Sequence, residues 1–458
     1  MKDLTRGHEA RTIILFALPM LLGNVFQQFY NMVDSFVVGR FVGKQALAAV
    51  GQSFPVIFVS VSLVIGFGMA SNILIAQFFG AKEKTRVQDV IDTTITVVIA
   101  FSAAVTLLGI LVAPAILRLM RTPEDVLPDA VLYLRIIFAG SLASFGYNAV
   151  SAILRGLGDS KTPLFALIIS TLVNVVLDLS FVLFLGWGVF GVAFATVIAQ
   201  TVSLVWVLLY LRKNNPDFRI GSFPLRFERD LFDRILRIGL PSGIQQALVG
   251  AGLMTLTGVV NGFGTNPAAA YSGAGKLDSF AIMPAMNIGL ALSSFAGQNL
   301  GAGFKDRVHR GLLYGSLMAA GISLSISALM FCLGDRFMLL FTDDSEVIRI
   351  GFEYLRIVSL GYIFQTLMFC FSGVIRGAGA TMFTMFMTLL SMWIVRIPCA
   401  VLLSRFWGTS GIWWSVVIGF AAGMTGTVLY YRFGKWDRRL AVSRDVPGTA
   451  APFIPPPD

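Results

Sequence analysis

Two short polar constellations carry the chemistry of this chain. Gln27, Asn31 and Asp34 fall at i, i+4 and i+7, so they share one face of a helix. Asp34 is the only formally charged side chain between Thr12 and Val38, a run long enough to cross a bilayer. An acid at the centre of a spanning helix costs about 2.5–3.5 kcal/mol on insertion scales, so its expected use is a proton, ion or substrate site. Thr171, Asn174 and Asp178 repeat the pattern at i, i+3 and i+7 and supply a second deep acid. At a rise of ~1.5 Å per residue, Asp34 lies roughly 9 Å below the level of Arg40, and Asp178 and Thr196 each lie roughly 13 Å from Trp187, an aromatic of interfacial type. All of them are therefore expected in the same half of one bundle.

Two carboxyls, a carboxamide and a hydroxyl in apolar surroundings have two uses. Desolvation and mutual repulsion favour the neutral acids, so the pair can hold protons near neutral pH. Alternatively, the oxygens can coordinate a small hard cation such as Na⁺. The residues themselves leave both open.

The elements that must position these groups follow from composition. Of 458 residues, 56% are hydrophobic and 13% charged, with 39 Phe and a mean hydropathy of +0.78. No soluble fold of this size hides so much apolar surface, so the expected class is an all-α polytopic membrane protein. Twelve spans are expected, at about 12–38, 47–74, 89–113, 129–153, 162–185, 189–211, 236–260, 268–299, 309–331, 350–374, 383–404 and 409–431. The apolar run behind Lys2, Arg6 and Arg11 is too long for a signal peptide and should remain as a helix. With both termini on one side, that side holds most of the 35 Lys and Arg, which places the termini in the cytoplasm by the positive-inside rule. The formal charge of +10 is split among short loops and forms no nucleic-acid stripe.

The first half recurs in the second in one register. Ala17-Leu-Pro19 answers Gly239-Leu-Pro241, Gln77-Phe-Phe-Gly-Ala81 answers Gln298-Asn-Leu-Gly-Ala302, and Tyr133-Leu-Arg-Ile136 answers Tyr354-Leu-Arg-Ile357. Arg155-Gly-Leu-Gly158 likewise answers Arg376-Gly-Ala-Gly379. The expectation is two pseudo-symmetric six-helix bundles in parallel orientation, 1–211 and 236–433. A linker, 212–235, separates them, with breaks at Asn214-Asn-Pro216 and Gly221-Ser-Phe-Pro224 and a short amphipathic surface helix from Phe227 to Arg237. The tail, 434–458, is expected to be disordered over Ser443 to Asp458. Pro55 and Pro284 are candidate kinks.

The duplicated six-span halves, the Pro-containing start of each, Asp34, Gln77 to Gly80 with its repeat, and Arg155-Gly-Leu-Gly-Asp-Ser-Lys-Thr-Pro163 together resemble the multidrug and toxic compound extrusion (MATE) transporters, over about residues 12 to 433. The likeness implies a MATE-like fold and, in the DNA-damage-inducible branch, a polar quartet in the first lobe that is protonated or binds Na⁺. Asp34, Asn174, Asp178 and Thr196 match that quartet in residue type, the last three also in spacing. The resemblance implies a cation-coupled antiporter, with H⁺ favoured over Na⁺, that exports lipophilic, cationic small molecules by alternating access. It also implies a monomer in the bacterial inner membrane with no other cofactor and no nucleic-acid partner. The sodium-coupled branch has further carboxylates in the seventh and tenth spans, both of which are expected to lack acids here, and the second lobe offers Arg396 instead, so coupling is expected in the first lobe. A flippase for lipid-linked precursors, or another metabolite exporter of the superfamily, is the alternative; such flippases resemble fourteen-span chains with strongly basic cavities. A channel or receptor fits the duplicated halves less well.

Several residues have two readings. Met283, Met286, Phe364 and Phe369, with Gln27, Asn31 and Arg396, are candidates for a substrate cavity, and the apolar ones suit ordinary packing equally. Arg396 could neutralise an acidic substrate, but the expected role is to fix the second bundle by pairing with backbone carbonyls or a neighbouring acid. Lys276 and Asp278 should pair with each other or face the cavity. Cys332, Cys370 and Cys399 are expected in the core, and with His8 and His309 outside the deep spans no enzyme or metal centre is expected. Gly-Leu-Gly and Ser-Lys-Thr within Arg155 to Pro163 lack the full phosphate-loop pattern and read as a turn.

Overall fold

The computed structural model describes residues 2–214, 218, 226–438 and 440–441. The expected breaks around Pro216 and Gly221 to Pro224, and the expected disorder of the tail, fall outside them. Every regular element among the described residues is helical. One bundle comprises α1 (Glu9–Val37), α2 (Lys44–Gly80), α3 (Lys84–Leu119), α4 (Leu127–Ala139), α5 (Ser141–Gly156), α6 (Lys161–Leu179) and α7 (Gly188–Asn214). The other comprises α8 (Arg229–Asn261), α9 (Thr265–Gly301), α10 (Lys305–Met338), α11 (Ser345–Ser359), α12 (Tyr362–Gly377), α13 (Thr381–Leu389), α14 (Ile397–Trp407) and α15 (Thr409–Phe433). Ten segments are long and apolar enough to span a membrane, and twelve when the bent pairs α4/α5 and α11/α12 each count as one. Helices are the fold such a sequence requires, because in lipid each backbone N–H and C=O must find its partner within the segment.

The breaks within the two bent spans fall at glycines. The α2 and α9 helices run unbroken through Pro55 and Pro284. The bends are instead at Gly140, between α4 and α5 (51°), and at Leu360–Gly361, between α11 and α12 (47°), which are equivalent in the repeat. At Gly140 a Cβ would sit 2.4 Å from Val197 Cγ2 of α7, so the span can turn only where a side chain is missing. Nor is there a separate surface helix before the second bundle. Arg229–Asn261 is one helix, so the amphipathic stretch forms the first turns of α8. The Gly-Leu-Gly segment is a turn, with Gly158 at φ +83° and Asp159 Oδ1 accepting from the Lys161 and Thr162 amides at the start of α6.

The bundles meet along α2 against α8 and α9, and α1 against α9 and α10. The seam is built from glycines facing backbone. A Cβ on Gly66 would lie 2.4 Å from Gly239 O, one on Gly80 1.9 Å from Gln298 O, and one on Gly301 2.0 Å from Gln77 O. All lie in the half of the molecule that carries the termini. Farther from that face, past the contact of Phe58 with Gly250, the inner helices part. Gly51 of α2 and Gly258 of α8 face open space, and Phe54 and Met254 are largely exposed. The lobes therefore enclose a cleft that is shut on the terminal face and open on the opposite one.

Candidate functional site

Asp34 and Asp178 sit next to two local departures from α-helix. The α1 helix gives way to π-helical turns at Val38–Val42, and α6 to π-helical turns at Ser180–Phe184. Such turns widen the helix by one residue and change the direction of the side chains beside them. The α1, α6 and α7 helices pack together here. They bring Asp178 beside both Asp34 and Asn174. Asn174 and Asp178 are fully buried. Around them Val37, Val38, Val182, Val189 and Val192 form an apolar cluster with Tyr133 of α4.

Five atoms in this small space have no hydrogen-bond partner outside the cluster itself: Asp34 Oδ1, both carboxyl oxygens of Asp178, and both amide atoms of Asn174. A buried polar group left unmade costs about 1–3 kcal/mol. Such a concentration fits a site designed to take up a proton or small cation. Thr196 is already engaged, donating to Val192 O (3.1 Å) and accepting from the Tyr30 hydroxyl (3.3 Å). Tyr30, one turn before Asp34, was missed by the sequence reading. Its i−4 spacing from the acid was the available signal, but an aromatic in a spanning helix is indistinguishable from packing until its hydroxyl has a partner. Tyr30→Phe should leave the fold intact and slow efflux by less than tenfold, since one neutral hydrogen bond is worth about 1 kcal/mol. A loss as large as that from removing an acid would make Tyr30 part of the ion site itself.

The substrate-cavity candidates divide. Asn24 Nδ2 donates to Asn287 Oδ1 of α9 (3.1 Å), so this face of α1 turns toward the second lobe. Gln27 and Asn31 continue the same stripe, joined by a long 3.4 Å hydrogen bond, and stand on the cleft side above that contact. Met283 is buried and Met286 partly exposed on α9. Phe369 packs within the second lobe, its carbonyl 2.7 Å from where a Gly289 Cβ would stand, and Phe364 is half-buried.

Other expectations are corrected. Arg396 is buried, but among the described residues it pairs with no carboxylate and no backbone carbonyl. Its Nη1 lies 3.7 Å from Met392 Sδ, its guanidinium stands over the Phe420 ring at 5.6 Å, and Nε has no partner. Lys276 and Asp278 do not pair. Lys276 lies over the Phe341 ring, and Asp278 accepts from the Tyr354 hydroxyl at 3.4 Å. The tenth span does carry an acid, against expectation: Glu353 of α11 accepts from the Ser410 hydroxyl. Of the cysteines, Cys370 is buried, Cys399 intermediate and Cys332 exposed, so Cys332 is not a core residue. No group of three or more His, Cys, Asp or Glu able to hold a metal occurs among the described residues.

Two repeated bundles of membrane-spanning helices, a cleft between them closed at one end, and a pair of acids beside it, Asp178 buried and Asp34 half-buried, define a multi-pass membrane transporter. A family model described as MatE matches residues 19–180 and again residues 241–402, one match in each bundle. The chain belongs to the MatE family. It is 31% identical to the probable multidrug resistance protein YpnP of Bacillus subtilis, over 95% of this chain and 97% of that protein. It is 32% identical to YoeA of the same organism, also a probable multidrug resistance protein, over 94% of each. A solved structure described as the outward-facing conformation of a multidrug resistance MATE family transporter of the MOP superfamily matches with a TM-score of 0.89 at 25% identity, covering 94% of this chain and 97% of that one.

Proposed function

We propose that this protein is a proton-coupled multidrug exporter of a bacterial inner membrane, with both termini in the cytoplasm and the cleft open to the outside. The observation that carries the reading is the group of unpartnered atoms at Asp34, Asp178 and Asn174 beside that cleft. A proton shared between two carboxyls turns an unfavourable juxtaposition of charges into a hydrogen bond. That favours H⁺ over Na⁺, for which only two acids are at hand and the Thr196 oxygen is already engaged. Asn174 and Thr196 complete the surroundings of the exchanged ion. Gln27, Asn31 and Met286 offer the substrate an adaptable wall of polar and polarizable groups, suited to varied lipophilic cations. The lobes rock between outward-open and inward-open forms, and the ion favours one of them.

Energetics bear on stoichiometry. A charge crossing 100 mV is worth about 2.3 kcal/mol, and a tenfold concentration gradient costs about 1.4 kcal/mol. One proton exchanged for one monovalent cation moves no net charge, so only ΔpH would drive it. Two acids, the first proton shared between them and a second neutralising the remaining charge, permit a two-for-one exchange that also uses membrane potential. Efflux of a lipophilic cation from proteoliposomes, with proton, sodium and potential gradients imposed one at a time, tests both points. Drive by the proton gradient and by potential is expected. Drive by sodium alone would replace the ion, and indifference to potential would exclude the two-proton exchange.

A further inference from the structure

The shut end of the cleft is held by two matching clasps that the family assignment does not explain. Gln77 near the end of α2 and Gln298 near the end of α9 are equivalent in the repeat and almost wholly buried. Gln77 Nε2 donates to Gly377 O of the second lobe at 2.8 Å, and Gln298 Nε2 donates to Gly156 O of the first lobe at 2.9 Å. Gly156 and Gly377 are also repeat mates. Each glutamine therefore reaches across the seam to the last residue of the opposite lobe's bent span. The remaining oxygen of each accepts from an end of the chain. The Leu4 amide donates to Gln298 Oε1 at 2.9 Å, and the Ala441 amide donates to Gln77 Oε1 at 2.8 Å.

The chain ends are fastened by more than these bonds. Leu4 is fully buried in the second lobe's core, and its carbonyl accepts from Asn299 Nδ2 at 3.2 Å. Ala441 packs against the first lobe's core, and its carbonyl accepts from Arg234 Nη1 at 2.9 Å. Leu4 thus lies in the core of the lobe to which it does not belong, and Ala441 between the first lobe's core and α8 of its own. Gly80 and Gly301, three residues beyond each glutamine, let the two backbones approach closely enough for the bonds to form.

We propose that the segments at Leu4 and Ala441, seated on Gln298 and Gln77, are a paired latch that holds the transporter shut on the terminal face and must release for the cleft to open there. This rests on the alternating-access reading above. A buried amide whose partners leave together must find water or new partners, so the latch favours the outward-open form and opposes partial opening of the seam. Its strength is set by two backbone N–H donors, which proline removes without removing the chain.

The test is cysteine labelling from each side of the membrane in a background lacking the native cysteines. One reporter is placed at the seam, Ala76→Cys, and one on the cleft wall, Phe54→Cys. Ala441→Pro, Leu4→Pro and Gln298→Ala should each raise labelling at the seam several-fold and lower it on the cleft wall, with Ala441→Gly, which keeps the donor, behaving as the parent. General loosening of the fold would instead raise both and would overturn the proposal. So would parent-like labelling in the proline variants, provided that the parent shows reciprocal changes when the proton gradient is imposed. If the parent shows no such reciprocity, alternating access itself fails.

Discussion

Asp34→Asn is expected to abolish drug extrusion while leaving the protein folded and inserted. The substitution keeps shape and hydrogen-bonding capacity but removes the group that gains and loses a proton. Asp34 accepts no hydrogen bond from outside the cluster that the fold requires, and its carboxyl meets only its neighbour Asp178, so the amide is not expected to unfold the lobe. Loss of a buried, unpaired acid can even raise the melting temperature, because the cost of its desolvation disappears. Asp178→Asn should be nearly as damaging, since the acids lie side by side and are proposed to serve one exchange. The double variant should be no worse than either single one, because groups that act as a unit are not additive. Efflux of a lipophilic cation from energised cells, normalised to the amount of inserted protein, measures this. Wild-type efflux by Asp34→Asn would make the acid a structural residue.

Gly301→Ala is the second substitution with a large expected effect. Its Cβ would stand 2.0 Å from Gln77 O and 2.8 Å from the carbonyl carbon, a distance that no backbone tolerates without moving. Neither helix can yield locally, because the facing atoms are main chain and Gly80 meets Gln298 in the same way from the other side. The lobes must separate at their shut end. Transport should fall more than tenfold, and overpacking of this kind costs about 1–3 kcal/mol. The measurement pairs efflux with the melting temperature of the purified protein. Parent values in both would show that the seam is loose and that its glycines reflect composition alone. Gly258→Ala, where nothing lies within 4 Å, is the matched control.

Much of the architecture was legible because a membrane leaves the chain few choices. Apolar length gave the spans, and the repeat of Gln77 in Gln298 and of Tyr133 in Tyr354 gave the pairing of the bundles. The spacing of Asn174 and Asp178 put them on one face, and depth counted from Trp187 set them level with Thr196. What the sequence concealed depends on how neighbouring helices press on one another. Pro55 and Pro284 are candidate kinks because proline lacks an N–H, and both lie inside unbroken helices. The breaks at Gly140 and Gly361 carried no such signal, because crowding by a neighbouring span, not the residue's own backbone, decides there. The π-helical turns beside Asp34 and Asp178 have no residue signature of their own. Arg396 was expected to seek an acid because its charge is visible in sequence, but its neighbours Met392 and Phe420 come from the fold.

The number of protons released when a lipophilic cation binds tests the shared-ion account most directly. It is read by calorimetric titration of the purified transporter with tetraphenylphosphonium, in buffers of different ionisation enthalpy. Release by the parent is expected, with none from Asp34→Asn or from Asp178→Asn although both still bind the cation. Undiminished release from either variant would contradict the account, because a single aspartate would then be sufficient.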